Sequence, residues 1–113
     1  MPQYMLMCCQ QEVDEGAAMS PLLLELHRQL REEGILLDVQ RLRGADTAAS
    51  VRVRGGETEV TDGPHAATKE LLAGYYLVEC ADRDAAIAVA ARLEGAQHGT
   101  IEVRPVIPHA EWA

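Results

Sequence analysis

The stretch SPLLLELHRQLREEGILLDVQRL, residues 20–42, holds a complete helix and the strand that follows it. Serine is a favoured helix cap and proline suits the first helical position, so Ser20 and Pro21 predict a helix start. An apolar stripe at helical spacing follows, formed by Leu23, Leu26 and Leu30. Gly34 predicts the end of the helix, and Ile35 to Leu42 then predicts a strand.

The rest of the chain repeats this alternation. Tyr4 to Cys9 is almost continuously apolar, which predicts a buried strand. Residues 67–72 predict one helical turn and Tyr75 to Cys80 a further strand. Asp82 predicts the cap of a second helix, which Gly95 ends, and its inner face carries Ala86, Val89, Ala90 and Leu93. Thr100 to Val103 predicts the last strand.

Residues 51–60, VRVRGGETEV, predict a β-hairpin. The pair Gly55-Gly56 suits a two-residue turn with positive φ angles. That turn places Arg54 opposite Glu57 and Arg52 opposite Glu59 on one face, and valines on the other. Opposite charges across a strand pair contribute roughly 0.2–1 kcal/mol each, and a one-residue slip would lose both pairs.

Without the hairpin, the element order is β-α-β-β-α-β. Two right-handed crossovers put both helices on one face of an antiparallel sheet, the ferredoxin-like α+β arrangement. With 113 residues the chain is one domain, residues 1–113. The second face of such a sheet is bare, so we expect a two-fold homodimer that covers it, a dimeric α+β barrel.

Composition narrows the class of protein. Ten basic and eighteen acidic residues give a net charge of −8, which disfavours nucleic-acid binding. Three cysteines, an odd number, predict a reducing compartment, and the N-terminus fits neither a signal peptide nor a membrane span. We therefore expect a bacterial cytoplasmic protein. Ligand spacings for a metal and glycine-rich phosphate loops are missing from the sequence, so we predict neither a metal nor a cofactor.

The segment VTDGPHAATKELLAGYY, residues 60–76, carries the candidate functional residues. Asp62 ends a predicted strand, and His65 lies three residues later, where a carboxylate would orient the imidazole for acid/base catalysis. The structural alternative is that Asp62-Gly63-Pro64 only makes a turn and that His65 fills a pocket.

Four further side chains are candidates for binding a ligand. They are Lys69, Glu70, Tyr75 and Arg104. For Lys69 and Glu70, an ion pair that fixes the loop is an equally physical account. Tyr75 and Tyr76 must point to opposite faces of their strand, so one faces the helices and the other the expected dimer contact. His27, one turn after Leu23, is expected to lie partly exposed on the flank of the first helix.

The chain resembles the DGPF family of the YCII-related superfamily. The matching segments are YML 4–6, TA 47–48, VRV 51–53, TDGP 61–64, TKE 68–70, GYY 74–76 and EVRP 102–105. The resemblance implies a dimeric α+β barrel whose biochemical function is poorly defined. Many such proteins neighbour extracytoplasmic-function sigma factors, and some YCII-related proteins act on cyclic or muconate-like compounds through a histidine–aspartate pair. Here His65 replaces the family phenylalanine, Ala67 an acidic residue and Ala73 a glycine, and the first-helix histidine falls near Leu23.

Two functions remain open at this point. The first is a small-molecule site near the DGPH loop, used for binding or for modest lyase- or hydrolase-like chemistry. In it Asp62 is base or orienter, His65 carries the proton, Lys69 anchors an anion and Tyr75 donates a hydrogen bond. The alternative is a non-enzymatic accessory or regulatory dimer that binds a protein such as a sigma factor. The sequence leaves open whether the chain is an enzyme.

Overall fold

The computed structural model describes residues 1–66 and 70–113. The elements in chain order are β1 (Gln3–Gln10), α1 (Pro21–Glu32), β2 (Leu36–Arg41), β3 (Ala49–Arg54), β4 (Glu57–Asp62), β5 (Leu71–Glu79), α2 (Arg83–Ala91), α3 (Gly95–His98) and β6 (Thr100–Pro105). Two short 3-10 helices, Ala45–Thr47 and His109–Glu111, precede β3 and follow β6. None of the described helices combines the length and apolar character needed to cross a membrane.

Four strands form one sheet in the order β2-β5-β1-β6, and every neighbouring pair is antiparallel. This order is that of the ferredoxin-like fold, so the predicted fold class is confirmed. The core lies between one face of the sheet and the helices. Its buried members include Tyr4, Leu6, Tyr76 and Val78 from the strands and Leu30, Ala86, Ala90 and Leu93 from the helical layer.

Local capping chemistry sets where the two long helices begin. The Ser20 hydroxyl accepts a hydrogen bond from the Leu23 backbone N–H at 3.1 Å, and Pro21 opens α1 as predicted. A carboxylate oxygen of Asp82 accepts from the Ala85 N–H at 2.8 Å and caps α2. Each cap satisfies a donor that has no partner inside the helix.

Two local predictions are wrong. Helix α2 ends at Ala91, and Gly95 opens the short helix α3 instead of stopping α2. Leu71 and Leu72 belong to strand β5, paired with β1, and not to a helical turn. A single helical turn has an unfavourable nucleation cost, whereas each residue of the strand gains a ladder pair. Of the rest of the predicted turn, Glu70 lies just before β5, and residues 67–69 lie outside the described residues.

Strands β3 and β4 form a separate two-stranded sheet, which we call the arm. The predicted register is confirmed at every position, with Arg54 opposite Glu57, Arg52 opposite Glu59, and Val51 opposite Val60. Gly55 and Gly56 adopt φ angles of 59° and 80° in the turn, as the two-residue loop requires. The charged pairs do not close to salt-bridge distance, however, because the side chain of Arg52 contacts His65 and that of Arg54 contacts its neighbouring carbonyl.

The arm extends sideways from the main sheet and does not cover it. The Cα extents are 47 × 41 × 20 Å, and the radius of gyration is 16.0 Å, against about 13 Å for a compact chain of this length. The 20 Å dimension accommodates one helical layer on one sheet, with no room for a third layer of about 10 Å. Among the described residues, the second face of the main sheet therefore has no cover, and we call it the open face. The homodimer stays a prediction.

Candidate functional site

A cleft of about 220 Å³ lies at the end of the sheet where β2 finishes and β5 begins. The loop of residues 11–19 and the start of α3 close its sides. Its lining includes Cys8, Leu23, Val39, Tyr76 and Leu93 from the core side and Gln10, Asp14, Arg41, Glu94 and His98 around the rim. The cleft therefore has an apolar interior with a small number of polar groups at its edge, as ligand sites commonly do.

A buried tyrosine–histidine pair stands behind the inner wall. Strand alternation turns Tyr76 to the helical face, and helical spacing places His27 on the same face of α1 as Leu23 and Leu30. The Tyr76 hydroxyl and Nε2 of His27 are 2.7 Å apart, and the rings meet edge to face at 5.2 Å between centroids. His27 is only 8% exposed, so its predicted position on the exposed flank is wrong.

Burial keeps the inner groups of this region uncharged. Desolvation lowers the pKa of His27, with a smaller contribution from the Arg31 charge. Desolvation also raises the pKa of Tyr76, with smaller contributions from Cys8 and Glu94. The pKa of the Cys8 thiol rises to about 11, again mainly through burial and then through Cys9. At neutral pH the inner wall of the cleft therefore carries an uncharged thiol and an uncharged phenol, with a neutral imidazole behind the phenol.

The rim is held by hydrogen bonds from loop 11–19 to the rest of the domain. The Arg41 guanidinium donates to the carbonyls of Asp14 at 3.1 Å and Ala17 at 3.3 Å. On the other side, the Ser20 hydroxyl donates to a Glu94 carboxylate oxygen at 2.5 Å. These contacts fix the loop over the cleft, so Arg41 and Glu94 have structural partners at its edge.

Tyr75 faces the opposite side of the sheet from Tyr76, as predicted. Its hydroxyl donates to an Asp38 carboxylate oxygen at 3.0 Å, and this hydrogen bond is the largest cause of its raised pKa. Asp38 is paired with Leu77 on the open face. The histidine–aspartate pair that the resemblance implies is thus not formed by these residues, because His27 bonds Tyr76 on one face and Asp38 bonds Tyr75 on the other.

The DGPH segment lies at the base of the arm. Asp62 is exposed and pairs with Ala49 at the end of β4. His65 is exposed too, and its Nδ1 is 3.2 Å from an Arg52 guanidinium nitrogen. A guanidinium carries only donors, so Nδ1 of His65 is the acceptor in this contact. Within residues 1–66 and 70–113, the imidazole thus bonds Arg52 and not Asp62, and the catalytic roles of Asp62 and His65 stay predictions.

The other predicted ligand-binding residues are spread over the molecule. Lys69 lies outside the described residues. Glu70 is half-buried just before β5. Burial raises the pKa of the Cys9 thiol, and the charges of Glu102 and then Glu70 raise it further. Arg104 is exposed on β6, with its Nε 3.8 Å from a Glu102 carboxylate oxygen. Of the predicted residues that the structure describes, only Tyr75 lines the cleft. The described histidine, cysteine and acidic side chains form no group of three that could hold a metal.

Sequence reasoning missed most of the residues that form the cleft. Cys8 and Tyr76 were placed correctly on strands, but nothing in their own segments marks a cavity. The available signal was His27, which lies four residues after Leu23 and three before Leu30, and therefore on their helical face. A polar residue at that spacing indicates a buried partner on the facing sheet.

Comparison with known proteins places the chain in a family. The YCII-related domain matches residues 2–111. A protein of Rhizobium meliloti (strain 1021), described as uncharacterised, is 44% identical over 86 residues, which cover 74% of this chain and 69% of that protein. The family match spans all three α-helices and all six strands described above. The chain belongs to the YCII-related family.

Proposed function

We propose that this protein is a homodimeric small-molecule-binding protein, and that its ligand occupies the cleft of about 220 Å³ beside Tyr76. At about 30 Å³ per water molecule, this volume corresponds to roughly seven waters. It suits a small, compact compound. The finer assignment to the DGPF subfamily belongs to the same proposal and is supported by the DGP turn at residues 62–64.

The observation that carries the proposal is the cleft itself, whose inner wall is uncharged while the rim groups Arg41 and Glu94 already have hydrogen-bond partners. A general base works best with a pKa near the operating pH, whereas here the Cys8 pKa is about 11 and the Tyr76 pKa is raised as well. The lowered pKa of His27 widens its gap from Tyr76, which disfavours proton transfer between them. We therefore favour binding of a small uncharged compound over acid/base catalysis.

Thermal-shift screening tests this proposal. We would compare small uncharged cyclic compounds with the corresponding carboxylic acids. Uncharged compounds should raise the melting temperature, since a ligand at 100 times its Kd stabilises the folded state by about 2.7 kcal/mol. If the acids outrank the neutral compounds, the argument from the uncharged wall is wrong.

Matched variants locate the binding site. Ala18→Leu narrows the cleft mouth, and Ala88→Leu adds the same side chain at an exposed position on α2 outside the cleft. Shifts should disappear in the first variant and persist in the second. If they persist in Ala18→Leu and instead disappear in Asp62→Asn or His65→Phe, the site lies at the DGPH loop.

A second candidate function is a non-enzymatic accessory module that binds a protein such as an extracytoplasmic-function sigma factor. Exposed valines on the arm, 58–63% accessible, favour a protein contact of some kind. A pull-down with purified sigma factor tests this second candidate by comparing the wild-type chain with a variant that lacks the arm valines. A cytoplasmic location suits either candidate and is supported by three free cysteines.

A further inference from the structure

The arm carries an apolar face that the described chain leaves in contact with solvent. Val51, Val53 and Val60 are 62%, 58% and 63% exposed, and Val51 lies directly opposite Val60. Thr58, opposite Val53, lies on the same face, as does the pair Ala49 and Asp62 at the base of the arm. The other face carries Arg52, Arg54, Glu57 and Glu59, which suit water. One side of the arm is thus built to be covered and the other to be solvated.

An uncovered arm of this kind is not self-sufficient. A two-stranded hairpin is at best marginally stable in water without a third strand or a packing surface. All six residues of β4 are exposed, and of β3 only Ser50 is not. The described residues of the protomer therefore provide almost no surface for the arm to pack against. We expect a surface on another molecule to stabilise its regular strand pairing.

We propose that the valine face of the arm packs against a second copy of this chain, on a surface beside the contact between the two open faces. This inference rests on the homodimer of the proposed function, and it adds that contacts of the arm stabilise that homodimer. The smallest Cα extent of the molecule is 20 Å, which leaves no room for the arm as a third layer on the open face. A partner seated on that face is within reach of the arm.

The area available supports a second copy as the occupant. Four strands about 4.8 Å apart, with about six residues paired per strand, give the open face roughly 400 Å². A stable interface needs about 800 Å² per partner, so the sheets alone provide about half. The arm face adds roughly 200 Å² to the buried area of each protomer. By two-fold symmetry, each protomer also buries roughly 200 Å² where the arm of the partner packs against it. The arm supplies the area that the sheet-to-sheet contact lacks.

Sedimentation equilibrium on a triple variant, Val51→Thr, Val53→Thr and Val60→Thr, tests the proposal. Threonine keeps the β-branched shape and strand preference of valine and removes apolar surface. We expect the dimer Kd to rise about 100-fold or more. The matched control, Leu22→Gln with Leu24→Gln, removes exposed apolar side chains from the outer side of α1 and should leave Kd unchanged.

The outcomes separate this inference from the dimer and from ligand binding. A triple variant that dimerises as the wild type does overturns the role of the arm and leaves the dimer intact. A wild type that stays monomeric overturns both, while thermal shifts from the cleft are unaffected. Hydrogen exchange adds a direct measurement, since arm amides should be protected in the dimer and lose protection on dilution. If the arm amides exchange equally fast in the dimer and after dilution, the inference is overturned. The valine face would then be available to bind another protein.

Discussion

Removing the Tyr76 hydroxyl tests the buried pair that backs the cleft. Tyr76→Phe keeps the ring and deletes the oxygen that lies 2.7 Å from Nε2 of His27. At 8% exposure, the imidazole cannot replace that partner with bulk water. A buried polar group left without a partner costs about 1–3 kcal/mol, so we expect the free energy of unfolding to fall by that amount. For a chain of 113 residues this corresponds to a melting temperature lower by roughly 4 °C per kcal/mol.

A double-mutant cycle separates the hydrogen bond from other effects of substitution. His27→Leu alone leaves the Tyr76 hydroxyl unpaired in the core and should cost a similar amount. With Tyr76→Phe and His27→Leu together, neither polar group remains, so the combined loss should be smaller than the sum by about 1 kcal/mol or more. Losses that simply add would show that the two side chains do not interact in the folded protein.

The measurement is urea unfolding followed by far-ultraviolet circular dichroism. Trp112, the single tryptophan, is 70% exposed in the C-terminal tail, so its fluorescence is a poor reporter of the core. Tyr75→Phe is the matched control, because it removes the same group from the neighbouring residue, whose partner Asp38 is only partly buried within the protomer. Its effect should be much smaller than that of Tyr76→Phe. All variants are compared at one protein concentration, so that any association contributes equally.

Three further predictions follow from the same contacts. The His27 pKa lies below its ordinary 6.5 in the folded state, so the unfolded chain takes up this proton first as pH falls. The free energy of unfolding should therefore drop below pH 6.5. Urea titrations between pH 7.5 and 5 should show a weaker pH dependence for His27→Leu. Gly74→Ala should destabilise the fold by several kcal/mol in urea unfolding, because the new Cβ would lie 2.6 Å from the Gln40 carbonyl oxygen. Asp82→Ala removes the cap on the Ala85 N–H and should cost about 1 kcal/mol by the same assay, whereas Asp82→Ser should restore most of it.

The parts of the fold that the sequence predicts are those set by local chemistry. The arm register is fixed by a two-residue glycine turn and by alternation on either side, so every pair from Arg54–Glu57 outward is predictable. The side-chain ion pairs are a different matter. Long, solvated arginine side chains lose entropy on pairing and gain little in water, so the register does not guarantee the contact.

The cleft depends on contacts that are distant in the sequence. His27 and Tyr76 are 49 residues apart, and no local pattern joins them. Helical spacing places His27 on the face of the leucine stripe, but it does not identify the buried group that His27 meets there. That group is the hydroxyl that β5 presents to α1, a fact of tertiary packing. The DGPH motif consists of consecutive residues and can be recognised in the sequence, whereas the cleft is formed by residues that are distant in the sequence.

The Asp62-Gly63-Pro64 turn has a structural role that is independent of chemistry. Gly63 adopts a φ of 100°, its N–H donates to the Ala48 carbonyl at 2.8 Å, and its own carbonyl accepts from the Ser50 hydroxyl at 2.8 Å. These two bonds tie the end of β4 to the start of β3 and so fix the direction in which the arm leaves the domain. The contacts of Gly63 therefore support the structural interpretation of the turn, in which Asp62-Gly63-Pro64 sets where the arm leaves the domain. The catalytic roles of Asp62 and His65 stay predictions.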